Sequence, residues 1–272
     1  MSRSWCIKSA LSRRKVLQHG MAGVGLVLLS PFSWANEAWQ QLDAVQHLLN
    51  GETPITQGLT LDLPHVSEDG SAVPLGIKFD GELADNDYLT DIHLFATGNP
   101  QPEIATFRLG ELSRYPEIST RVRLNETQYV VAVANTYQGQ TFAVSQEVRI
   151  TVSGCLMRGE DSQPEPLSNP RVSVNQQVAA GDALEVRTLI NHPMETGLRE
   201  GSDGEPLPRH IIEHFTVRLG DEVAFEAQLH QSISANPYLR FHLTPQQSGE
   251  LVFEWQDDQG EKAQHTSELS VS

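Results

Sequence analysis

Among the side chains able to do chemistry, one cysteine stands apart. The chain has two, Cys6 and Cys155. Cys6 lies in a segment ordered like an export signal. Ser12-Arg13-Arg14-Lys15-Val16-Leu17 is a twin-arginine pattern, an apolar run follows from Gly20 to Leu29, and Ser33-Trp34-Ala35 places small residues at both key positions of a signal-peptidase site. The run is shorter than the ~20 apolar residues of a permanent membrane span. Residues 1–35 are therefore expected to be removed on export to the periplasm by the twin-arginine route, with no membrane attachment afterwards. Cys155 is then a lone thiol in an oxidising compartment, without an intramolecular disulfide partner. Three fates are open to it: burial as an inert side chain, a disulfide-linked dimer through Cys155, or free reaction as a thiolate, whose unperturbed pKa is about 8.5.

Other constellations point to little chemistry. His210 and His214 have the i, i+4 spacing that chelates a metal on a helix, but Ile211, Ile212, Phe215 and Val217 around them read as extended chain. On a strand that spacing separates the rings by about 13 Å, too far to share an ion. Asp85-Asn86-Asp87 with Asp91 lacks the glycine and the glutamate of a calcium loop, since Thr90 and Ala96 occupy those positions. There is no phosphate-cradling glycine loop, no CxxC and no Gly-x-Ser-x-Gly. No catalytic residue, metal or cofactor is expected. A cysteine hydrolase using His192 as base is the enzymatic alternative, and it predicts turnover by the isolated protein.

Charge narrows the partners. Residues 1–35 hold Arg3, Lys8, Arg13, Arg14 and Lys15 and no acid, so removing these five from 19 Lys+Arg leaves 14 against 35 Asp+Glu, a formal −21. That surface excludes nucleic acid and anionic lipid as partners. It also repels small anions, so any anion chemistry needs a local basic site or a partner that supplies one.

The elements that must position Cys155 are strands. Ala38, Leu42, Val45 and Leu49 predict one short amphipathic helix. Beyond Gly58 the texture turns to alternation. Phe142, Val144, Gln146, Val148, Ile150 and Val152 alternate with Thr141, Ala143, Ser145, Glu147, Arg149 and Thr151, a long half-buried strand. It runs directly into Ser153-Gly154-Cys155, so a rigid strand is followed by a glycine pivot and then the thiol. From Ser153 to Asn169 periodicity disappears among Gly154, Gly159, Pro164, Pro166 and Asn169-Pro170, the composition of a flexible linker. Strands are predicted again at Val172–Val174, Leu184–Ile190, Phe215–Leu219, Leu239–Leu243 and Leu251–Trp255. The expected architecture is all-β: a signal at 1–35, an Ig-like β-sandwich at 36–152, a linker carrying Cys155 at 153–169, and a second Ig-like sandwich at 170–272. A nucleophile on a linker suits presentation to other proteins' active sites better than catalysis in place.

Four stretches of the second half carry a resemblance. Thr188-Leu189-Ile190-Asn191-His192-Pro193-Met194-Glu195-Thr196-Gly197, Ser232-Ile233-Ser234-Ala235-Asn236-Pro237-Tyr238-Leu239, Pro208-Arg209 and Trp255-Gln256-Asp257-Asp258 resemble SoxZ, a subunit of the sulfur-oxidation carrier SoxYZ. Residues 40–155 look like SoxY through Leu61-Asp62-Leu63-Pro64, Glu68-Asp69-Gly70, Val73-Pro74-Leu75 and a final strand ending in a cysteine. The SoxY carrier cysteine sits in a C-terminal Gly-Gly-Cys-Gly-Gly tail, and Gly154-Cys155 aligns with its centre. Here Ser153, Leu156 and Met157 replace tail glycines and a second domain follows. The resemblance implies a fused SoxY–SoxZ carrier that holds thiosulfate-derived sulfur covalently on Cys155. Its implied partners are a c-type cytochrome, a sulfate-releasing hydrolase and a sulfane dehydrogenase. Fused chains of this kind also resemble SoxYZ-like proteins associated with quinoprotein (PQQ) dehydrogenases, which leaves that system as an alternative partner. A binding module in which Cys155 is incidental is the third reading.

Overall fold

The computed structural model describes residues 34–153, 167–201 and 203–272. Gly154 and Cys155, most of the expected linker and the expected export signal up to Ser33 lie outside the described residues. The first half opens with a 3-10 turn at Trp34–Gln41 and a helix α1 at Asp43–Leu49. Its strands are β1 Leu59–Asp62, β2 Val66–Ser67, β3 Val73–Phe79, β4 Leu89–Ala96, β5 Glu103–Leu109, β6 Glu117–Val122, β7 Gln128–Thr136 and β8 Thr141–Ile150. The second half supplies β9 Ser168–Val174, β10 Gln177–Val178, β11 Leu184–Asn191, β12 Ile212–Leu219, β13 Glu222–Leu229, β14 Tyr238–Leu243, β15 Gly249–Asp257 and β16 Lys262–Val271. The fold is all-β, two Ig-like sandwiches with one short helix at the start, as the alternation predicted.

The halves share their sheets. One sheet runs β1-β3-β6-β14-β11-β9, the other β10-β16-β15-β12-β13-β5-β4-β7-β8-β2. At the seam β5 pairs antiparallel with β13 from Leu109↔Phe225 to Ala105↔Leu229, and β6 meets β14 at Ser119↔Arg240. Side chains follow the strands across. Phe107 of the first half stacks on Phe225 of the second at 6.0 Å, and Phe225 lies 4.1 Å from Phe241 with nearly parallel rings. All three are almost completely buried, and one apolar cluster extends through both halves. Gly110 sits so close to β13 that a Cβ there would lie 2.7 Å from the Val223 carbonyl oxygen, so glycine is required for this approach. Nearby, the buried Ser113 hydroxyl donates to the Ala224 carbonyl.

Three local expectations are corrected. The single helix over Ala38–Leu49 divides at Leu42 into a 3-10 turn and α1. The strand expected to reach Val152 ends at Ile150, and the first part of it is buried on both faces rather than one. Ala143 is fully buried because Ala38, Trp39, Leu42, Val45 and Leu49 lie across it and across Phe95, Val131 and Val133. Strand β13 was not anticipated. A register shift between Val217 and Arg218 of its neighbour breaks its alternation, so Ala224 and Phe225 are consecutive buried residues.

Candidate functional site

The strand leading to Cys155 is held to its last described residue. The Arg149 amide donates to the His65 carbonyl and the Thr151 amide to that of Ser67, while the Gly70 amide donates to the Val152 carbonyl at 2.9 Å. The Ser153 hydroxyl then donates to Asn125 Oδ1 at 2.5 Å. Cys155, two peptide units further, and its pivot Gly154 are outside the described residues.

From Ser153 a polar network crosses the seam. The Asn125 amide donates to Asn99 Oδ1, which also accepts from Gln128 Nε2. Asn99 Nδ2 donates to the Arg123 carbonyl and to Ser232 Oγ, each at 2.9 Å. Asn99 is only 7 % exposed and uses both donors and two acceptor positions. The Arg123 amide donates to the Ser232 carbonyl at 2.7 Å, and its guanidinium donates to the carbonyls of Pro193 and Met194. A fork with donors in fixed geometry is what two adjacent carbonyls need, and lysine cannot span them. Arg123→Ala is expected to lower stability by about 2–3 kcal/mol in denaturant unfolding, with Arg123→Lys recovering little of it.

The turn that Arg123 grips joins the other segments of the signature. The His192 amide donates to Asn236 Oδ1 at 3.1 Å and the Asn236 amide to the His192 carbonyl at 2.8 Å. His210 Nε2 bonds Asp257 Oδ2 at 2.8 Å. The Ile211 amide donates to Asp258 Oδ1, and Arg209 Nε lies 3.3 Å from Asp258 Oδ2. Ser234 Oγ reaches back to the Ser71 carbonyl of the first half. Four stretches scattered along the second half are therefore one hydrogen-bonded assembly, facing the end of β8.

Inside it lies a group the sequence reading missed. His192, with no exposed surface, packs its ring edge to face with that of His210 at 4.7 Å, beside Asp257. Nothing in the spacing of residues 192, 210 and 257 announces the cluster, because three loops assemble it. His192 Nδ1 accepts the Met194 amide at 3.0 Å, and Nε2 has no partner among the described residues. Burial, and after it the neighbouring His210, push the His192 pKa down to about 4. Burial acts against the Asp257 carboxylate, but the bonds from His210 and from the Glu261 and Gln259 amides outweigh it and hold its pKa low. His214, by contrast, is exposed on β12 and does not join His210. Asp91 bonds His93, Thr90 and Asn135 instead of forming a loop with Asp85 and Asp87.

The buried ring gives a pH prediction. The folded-state value near 4 lies below the 6.5 of a free imidazole, so between these the unfolded chain takes up a proton that the folded chain refuses. Stability contributed by neutral His192 is complete above about pH 6.5 and is lost as pH falls toward 4, by about 3 kcal/mol in all. Ring-nitrogen NMR in chelator should show His192 neutral, with its proton on Nε2, throughout that window.

Comparison with known proteins matches two families to separate parts of the chain. Residues 45–155 match the family described as sulfur oxidation protein SoxY, and residues 172–268 the one described as sulphur oxidation protein SoxZ. No curated protein matches in sequence. Among solved structures, the chain is similar to the sulfur carrier protein SoxY from Chlorobium limicola f thiosulfatophilum, at 27% identity and TM-score 0.33, covering 40% of this chain and 94% of that one. A superoxide reductase (neelaredoxin) from Ignicoccus hospitalis matches at 10% identity and TM-score 0.31, over 35% of this chain and 81% of that one. With residues 45–155 assigned to one family and residues 172–268 to the other, the chain belongs to the SoxY and SoxZ families as a single-chain fusion of the two.

Proposed function

We propose that this protein is a non-catalytic periplasmic carrier that holds sulfur intermediates derived from thiosulfate on Cys155. The observation that carries the proposal is the union of both families in one chain, with the strand before Cys155 pinned at Ser153 beside the seam. Loading joins the Cys155 thiolate to the outer sulfur of thiosulfate by a disulfide-type bond. Two electrons leave in that step, to an oxidised c-type cytochrome partner. Hydrolysis of the distal S–S bond by a second partner adds water, releases sulfate and leaves a cysteine persulfide. A sulfane dehydrogenase would then oxidise the remaining sulfur. Every bond to Cys155 in this scheme is exchangeable by thiols.

The fusion limits how partners dock. A chain reaches at most about 3.5 Å per residue, so the Cys155 Cα stays within about 7 Å of the Ser153 Cα. A partner must receive the loops around Asn99, Asn125 and Ser232 together with the cysteine, which calls for an open cleft rather than a narrow channel. A quinoprotein dehydrogenase system with such a cleft would serve the same chemistry.

The test is the intact mass of the protein taken, without reductant, from cells oxidising thiosulfate. A mass increment on Cys155 that reductant removes is expected. A bare thiol under those conditions ends the carrier reading, and a doubled mass on a non-reducing gel selects the disulfide-linked dimer.

A further inference from the structure

We propose that the second half also holds one divalent cation of the zinc and copper class between His192, His210 and Asp257. The three side chains come from the turn after β11, the approach to β12 and the end of β15, and each offers a ligand atom within 4.8 Å of the others. Clusters of hydrogen-bonding groups this deep are normally self-satisfied, yet His192 Nε2 is buried without a partner among the described residues. An unsatisfied buried polar atom costs about 1–3 kcal/mol, so its position calls for a ligand. Two imidazoles and one carboxylate suit zinc or copper, whereas calcium and magnesium want oxygen alone.

The surroundings support the site. Asp257 Oδ1 accepts the amides of Gln259 and Glu261 at 3.0 and 2.8 Å, which aims Oδ2 at His210. Outer hydrogen bonds of this kind orient metal-binding carboxylates. The His210 side chain is 18% exposed, so solvent can deliver the ion and supply a fourth ligand. Each neutral ring binds the ion through Nε2 and keeps its single proton on Nδ1, while the carboxylate binds as the anion. For His192 this sets the Nδ1 proton against the Met194 amide, so the turn must shift to give that amide another acceptor, at a cost of about 1–3 kcal/mol that coordination has to exceed, and for His210 it replaces the bond to Asp257. The Arg123 guanidinium on the adjoining carbonyls opposes any cation, so the ion must be held by direct coordination rather than by diffuse charge.

The experiment uses untagged Cys155→Ser protein, so that the thiol cannot bind the ion, stripped with chelator and titrated with zinc by calorimetry. Cobalt absorption reports the coordination geometry. One ion per chain and a raised melting temperature are expected. His192→Ala would open a hole in the interior, so the decisive variants are His210→Gln, at a half-buried position, and Asp257→Asn, which still accepts both amides. Each should weaken zinc by at least about tenfold while remaining folded by circular dichroism. No binding at equimolar zinc overturns the proposal, as does binding that both variants leave unchanged. Neither result bears on the mass test of Cys155.

Discussion

Cys155→Ser is expected to abolish every covalent sulfur adduct while leaving the unfolding midpoint unchanged. The serine hydroxyl cannot form the disulfide-type bond that loading requires, so the mass increment after incubation with thiosulfate and an oxidising partner should fall from stoichiometric to nil. Stability should stay within about 0.5 kcal/mol, because the linker composition around Cys155 predicts an exposed thiol and exposed substitutions fall in that range. Among the described residues, the last hydrogen bonds of the segment that follows β8 are made by Val152 and Ser153. An adduct that survives the substitution would place the chemistry elsewhere. Full sulfur oxidation by cells carrying only the variant would select the binding-module reading.

The second large effect belongs to the seam. Phe225→Ala should cost about 3–5 kcal/mol, the range for deleting a buried aromatic ring. Phe225 has no exposed surface and touches rings on both sides of the junction: Phe107 at 6.0 Å, Phe241 at 4.1 Å and Phe215 at 6.3 Å. At about 2–4 °C per kcal/mol for a body of this size, the melting temperature should fall by roughly 10 °C. Because β5–β13 and β6–β14 pairing carries both sheets through both halves, the loss should appear in one cooperative transition. Fluorescence of Trp255 in the second half and Trp39 in the first should report the same midpoint. Two transitions, with the first half indifferent to the substitution, would mean that the halves fold as separate domains.

The same junction separates what was legible in the residues from what was not. Alternation in Leu251, Phe253 and Trp255 identified β15, since a period of two states which side chains turn inward. Gly154-Cys155 after a long strand, and the stretches around His192 and Asn236, carried the resemblance to the two families before any contact was known. The main-chain edges that joined β5 to β13 left no such mark, because backbone donors and acceptors are the same in every residue. Ala143 read as solvent-facing for a related reason: the helical segment that covers it lies about a hundred residues earlier. Residue types and their order thus determined the all-β class, the strands with clear alternation and the place of Cys155 in the chain. Only tertiary packing decided that the two sandwiches form one body, that Arg123 spans them, and that His192, His210 and Asp257 meet, since each depends on segments far apart in the chain arriving at one place.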